Sequence, residues 1–161
     1  MSQRHDFWFL TAWMLAAIAV VVFGLAGLMK AVDVYEFSRV LKLWFVIPRS
    51  MTPALAVTIP MIEVGLATAW LAGFGRRATT VGIIVTLLLF STVTTWQYIA
   101  YEPVSCGCFG GGAEGRADMG DLRVLLARNV SLVVILSIFL CYESKLMRHC
   151  DEIGLGQVHE H

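Results

Sequence analysis

Phe7-Trp8-Phe9-Leu10-Thr11-Ala12-Trp13-Met14-Leu15-Ala16-Ala17-Ile18-Ala19-Val20-Val21-Val22-Phe23-Gly24-Leu25-Ala26-Gly27-Leu28-Met29 reaches Lys30 without meeting a charge. As a helix rising ~1.5 Å per residue, this run is long enough to cross the ~30 Å hydrocarbon core of a bilayer. Its apolar length exceeds the ~7–15 residues of a secretion signal, and no small-x-small cleavage site follows it. It therefore reads as a retained first membrane span. Trp8 and Trp13 stand near its start, where aromatic rings favour the membrane interface. Gly24 and Gly27 allow a second helix to come close near its other end. A lysine at a span's end ordinarily snorkels to the headgroups, and that is the expectation for Lys30.

The rest of the chain repeats this reading. Its 161 residues are 58% hydrophobic and 15% charged, with no formal net charge, and the mean hydropathy is +0.73. Such a composition is that of an integral membrane protein, with membrane lipid as its surroundings. A neutral chain with few basic residues excludes nucleic acid as a partner. Further spans are expected over Pro53–Phe74, Ala78–Tyr101 and Leu122–Tyr142. Residues 31–47, before Pro48, are too charged to span. On a helical wheel Glu36, Ser38, Arg39 and Lys42 share one arc, and Val34, Phe37, Val40, Leu41, Trp44 and Phe45 share the other, which predicts an amphipathic helix lying in the interface. The fold class is thus all-α: a polytopic membrane protein of four transmembrane helices, with an interfacial helix between the first and second. It forms one domain over residues 1–161.

Ionisable side chains inside the spans are the first candidates for function. Glu63 falls about 14 Å along the second span at ~1.5 Å per residue, near the bilayer midplane. A carboxylate there is costly, so it is paired, neutral and hydrogen-bonded, or chemically engaged. Lys30 and Arg128 are its candidate partners. Pro60 removes a backbone donor one turn earlier and should bend the helix. Arg128 lies about 9 Å inside the fourth span; it is expected to snorkel, or else to pair with an acid, and with Asn129 it makes a polar patch. Gln97 is expected near the interface at the end of the third span.

The loop 102–121 holds the reactive pair. Ser105-Cys106-Gly107-Cys108-Phe109-Gly110 places two thiols one glycine apart in a polar, glycine-rich stretch. Alternate residues can approach the ~4.4–6.8 Å Cα separation of a disulfide if the backbone folds tightly, and Gly107 permits that. A small exposed ring is strained, and strained disulfides are the labile, more oxidising ones. Three other readings stand beside redox work. The cysteines can be small buried apolar residues, although this loop offers little core. They can form a structural disulfide, although such bonds gain more by closing longer loops. They can bind zinc, although residues 102–121 contain no histidine to complete four ligands. Cys141 ends the fourth span and Cys150 lies in the tail 143–161, whose three histidines are too irregularly spaced to mark a metal site; no metal is expected.

Four spans put both ends of the chain on one side. Arg76-Arg77 in a short turn, with Lys145 and Arg148, mark that side as cytoplasmic, although Lys30, Arg39, Lys42 and Arg49 stand opposite. The cysteine loop then faces the oxidising side of a bacterial plasma membrane. Cys141 and Cys150 would sit ~30 Å away across the core. The single outer pair therefore suits exchange with an external thioredoxin-like protein through a mixed disulfide. A lipid-soluble quinone could regenerate the pair, but no motif identifies a quinone site or any other cofactor.

These features together resemble a known family. Four spans, Gly24-Leu25 and Lys30 closing the first, Pro60-x-x-Glu63 in the second, Cys106-Gly107-Cys108-Phe109-Gly110 before the fourth, and Arg128-Asn129 within it are similar to the methylamine utilisation protein MauE family, within the wider DoxX-like group. The similarity runs from about Phe7 to Tyr142. It implies a part in maturing methylamine dehydrogenase, whose small subunit is rich in disulfides, beside a thioredoxin-like periplasmic protein. Carried onto these positions, it implies that Cys106 and Cys108 are the thiol pair, and that Glu63, Lys30 and Arg128, with Asn129, are polar residues of the bundle interior. The competing expectations are a non-catalytic membrane scaffold or anchor, and a small-molecule or proton-linked carrier using Glu63.

Overall fold

The computed structural model describes residues 2–42, 44, 47–100 and 119–156, with side chains over 9–42, 44, 47–100 and 123–144. Among them are five helices and no strand: α1 (Ser2–Val32), α2 (Val34–Lys42), α3 (Thr52–Leu71), α4 (Arg76–Ala100) and α5 (Met119–Gly156). Four helical stretches are long and apolar enough to cross a membrane: Phe9–Val32, Thr52–Leu71, Arg76–Ala100 and Arg123–Ser144. The chain is a multi-pass membrane protein.

Local chemistry sets the boundaries. α1 and α2 part at Asp33, whose Oδ1 accepts the backbone N–H of Glu36 at 3.0 Å and caps the new helix. The amphipathic helix is therefore shorter than its wheel suggests. Residues 48–51 turn before α3, where the Met51 amide donates to the Pro48 carbonyl. α3 stops at Leu71, three residues before the expected Phe74. Gly73 and Gly75, with φ of 84° and 53°, make the left-handed turn that lets α4 start directly at Arg76. Pro60 lies inside α3, which continues through it. At the far end, α5 does not stop at Tyr142 but continues as helix into the polar tail as far as Gly156.

Each span buries one stripe. On α3 it is Ala56, Pro60, Glu63, Ala67 and Trp70, and on α5 Leu125, Asn129, Leu132, Leu136 and Phe139, both in the alternating four-three steps of a helix seam. The opposite faces are apolar too. Met14, Ile18, Val21, Leu25 and Leu28 of α1 are exposed, an outer surface that only lipid can cover at no cost. α1 touches α3 and α5, and α4 touches the same two, which closes the four spans into a ring. α2 packs on α3 through Phe37 and Leu41 against Ala56.

The spans alternate in direction. At the end nearest the Gly73–Gly75 turn, the Trp70 ring packs tilted against Trp13 of α1 at 5.9 Å and edge-to-face against Phe139 of α5 at 5.8 Å. Its indole N–H also donates to Thr80 Oγ1 of α4 at 2.9 Å. One residue thus ties all four spans. In lipid every polar atom needs an internal partner. The hydroxyls of Thr86, Ser91, Thr92 and Thr94 accordingly donate to carbonyls four residues back in α4.

Close approach of α1 and α3 depends on two glycines. A Cβ built on Gly24 would stand 2.8 Å from that of Ala67, and one on Gly27 would stand 2.7 Å from that of Glu63. Gly65 has nothing within 4 Å. Gly27→Val is expected to cost about 2 kcal/mol by overpacking, read as a lower thermal unfolding midpoint in lipid nanodiscs. Gly65→Ala should leave the midpoint unchanged or slightly raised.

Candidate functional site

The seam positions of α1, α3, α4 and α5 bring one polar cluster together in the half of the bundle away from Trp70. Lys30 Nζ lies 2.6 Å from Glu63 Oε1 and 2.8 Å from Oε2. Both side chains are buried, at 3% and 5% exposure. Glu63 is central in α3, eleven residues from Thr52 and eight from Leu71. Lys30 does not snorkel. It is two residues from the end of α1, but Gly27 brings the α3 backbone so near that its stem reaches Glu63 directly. A buried carboxylate within reach outweighs a solvated headgroup region because each charge would otherwise stand alone in a medium that solvates neither.

Aromatic rings complete the ammonium's shell. Nζ is 4.7 Å from the centroid of Phe90 and 5.7 Å from that of Phe37, distances at which a ring face attracts a cation. Trp44 packs at 5.6 Å on the same Phe90. No sequence signal separates Phe37 and Phe90 from ordinary apolar residues of their stripes.

Arg128 and Asn129 adjoin the pair across a small cavity. Its wall includes Lys30, Glu63, Thr86, Phe90, Arg128 and Asn129, and its interior of about 20 Å³ holds about one water molecule. Asn129 is buried; its Nδ2 donates to Ser91 Oγ at 2.9 Å, and its Oδ1 accepts from Arg128 Nε and a terminal guanidinium nitrogen at 3.3 and 3.2 Å. Arg128 is half-buried beside the α5 seam and lines the same cavity. Ser91 was hidden in the sequence among the many hydroxyls of α4. Gln97, expected at the interface, is buried at 2% exposure on the α4 seam.

Lys30, Glu63, Arg128 and Asn129 thus meet in one place. Cys106 and Cys108 lie outside the described residues. Cys141 is exposed as a free thiol. Among the described residues no three His, Cys, Asp or Glu side chains gather as metal ligands would.

A family model described as "Methylamine utilisation protein MauE" matches residues 8–142, which include all these positions and all but the last two residues of the fourth apolar stretch. No curated protein and no solved structure matches the chain.

Removing one member of a buried ion pair leaves the other charge uncompensated. Lys30→Met is expected to destabilise the bundle by about 3–5 kcal/mol, and the Lys30→Met/Glu63→Leu double variant should recover most of that loss. Unfolding midpoints of the two single variants and the double variant, measured in the same nanodiscs, check this non-additivity.

Proposed function

The chain belongs to the methylamine utilisation protein MauE family, and from that premise we propose that its task is thiol–disulfide exchange with an extracytoplasmic, thioredoxin-like protein. That exchange would serve the maturation of a disulfide-containing enzyme of the methylamine dehydrogenase type. The observation that carries the reading is the pair Cys106 and Cys108, one glycine apart in the segment joining α4 to α5.

The chemistry requires nothing beyond the two thiols and the partner. A thiolate of the pair attacks a sulfur of the partner's disulfide; one S–S bond breaks, a mixed disulfide forms, and the partner's other sulfur leaves as thiolate. The second cysteine then attacks the mixed disulfide. The pair is oxidised to a disulfide, and the partner departs as a dithiol carrying two electrons and, once protonated, two protons. Run backwards, the same steps oxidise the partner.

Topology supports the reading. Both ends of the four-span region and the Arg76-Arg77 turn lie on one side, which we assign to the cytoplasm of a bacterial cell. On that assignment α2 and the ends of α4 and α5 that carry Cys106 and Cys108 between them would face the other side. Of the four cations opposite, Lys30 is held inside the bundle by Glu63; Arg39, Lys42 and Arg49 still stand against Arg76, Arg77, Lys145 and Arg148 in the count.

Cys106→Ser and Cys108→Ser variants expressed with the methylamine-utilisation proteins provide the test. One of them should accumulate a reductant-sensitive adduct with a thioredoxin-like protein, identified by mass spectrometry after non-reducing electrophoresis. If neither captures a partner while the double variant keeps full methylamine dehydrogenase activity, the exchange is excluded. A scaffold is then the reading that remains, or a carrier if Glu63→Gln alone abolishes function.

A further inference from the structure

We propose that the chamber around Lys30 is a binding site for a primary alkylammonium ion, held closed by the ammonium group of the protein's own lysine. The inference stands on the intramembrane cluster and is independent of the thiol reading.

The receptor is complete without Lys30. Both oxygens of Glu63 are aimed at one ammonium nitrogen, at 2.6 and 2.8 Å. Phe90 presents a ring face at 4.7 Å, with Phe37 further away at 5.7 Å. A carboxylate together with aromatic faces recognises organic ammonium ions in general. Because both oxygens accept N–H bonds, the ligand must carry N–H donors, which rules out quaternary ammonium. The adjoining cavity of about 20 Å³ is walled by Val22, Phe23, Ala26, Leu87 and Leu132 on its apolar side. It has room for a methyl-sized substituent and for little more.

Exchange of one ammonium for another leaves the buried charge unchanged. Arg128 lines the same cavity and donates to Asn129 Oδ1; it faces the same net charge whether the cation beside Glu63 is tethered or free. The desolvation cost that would bar an unpaired cation is thus met by Glu63 in both states. Lys30 has somewhere to go. It is three residues before Asp33, an exposed carboxylate at the α1–α2 break whose Oδ1 also accepts the Glu36 amide that begins α2, and a lysine at a span's end readily extends its stem towards water. Two carboxylates, Glu63 within and Asp33 at the edge, give the lysine an inner and an outer position.

The test uses the full-length protein in phosphatidylcholine nanodiscs, with thermal unfolding followed during titration with methylammonium chloride. Tetramethylammonium chloride and sodium chloride at equal ionic strength serve as controls. Wild type should show a saturable rise in midpoint with methylammonium alone. Lys30→Met, which removes the built-in competitor, should half-saturate at a concentration lower by about tenfold or more. Phe90→Leu should raise the half-saturating concentration about fivefold, and Glu63→Gln should lose the response. Cys106→Ser/Cys108→Ser should respond as wild type does, which separates this site from the thiol chemistry. Should Lys30→Met or Glu63→Gln fail to fold, saturation-transfer NMR on the methyl protons of methylammonium compares wild type with Phe90→Leu. A flat wild-type titration overturns the proposal. So does a response confined to Lys30→Met, because that marks a purely structural pair rescued by a small cation.

Discussion

An ammonium and a carboxylate that meet where water cannot solvate either must hold each other, and the helices that carry them must hold still for it. Lys30 and Glu63 are such a pair. Their contact sets the separation and register of α1 and α3, since Gly27 lies against the Cβ of Glu63 and leaves no room for another side chain. The remaining packing conforms to it. Phe90 of α4 covers the ammonium, and Asn129 of α5 reaches the next residue of α4, Ser91. In a bilayer the usual hydrophobic drive between helices is absent, so small residues and internal polar contacts decide which helices pair. This bundle uses both.

The bundle has two unlike halves. Around Trp70 the interior is aromatic and aliphatic, with one hydrogen bond from the indole to Thr80. Towards the opposite end the same seams turn polar: Gln97 and Thr94 are buried on α4, and Asn129 shares a cavity with the ion pair. That polar half is the one from which the chain leaves α4 and re-enters α5, and the segment between carries Cys106 and Cys108. Under the proposed function the membrane domain presents a thiol pair to an aqueous partner on that side. The intramembrane cluster around Lys30 and Glu63 is a second chemically equipped place in the same molecule.

Much of this was legible in the residues. Uncharged runs of span length are a strong signal because the bilayer tolerates little else, and Glu63 stood out because a carboxylate near the midplane demands an explanation. The choice of its partner was not legible. Lys30 and Arg128 were equal candidates by sequence, and a lysine at a helix end looks like an interfacial anchor. The Gly24/Gly27 approach decides the matter, since it moves α3 within reach of Lys30, while Arg128 donates to Asn129 Oδ1. Gln97 lies near the end of α4, as its distance along the helix suggested, but only its angular position reveals that it sits on the buried seam with Thr94, Leu87 and Ile83. The aromatic lining of the ammonium site was invisible, because Phe37 and Phe90 serve the apolar pattern whether or not a cation lies above them.

Under the proposed function, the membrane bundle presents Cys106 and Cys108 to water outside the cell. Labelling intact cells with a maleimide that cannot cross the bilayer, after mild reduction, tests that placement most directly. Cys106 and Cys108 should be modified, with Cys141 and Cys150 reacting only once the membrane is permeabilised. Unmodified Cys106 and Cys108 in intact cells, with a labelled Cys150, would contradict both the orientation and the task assigned to the pair.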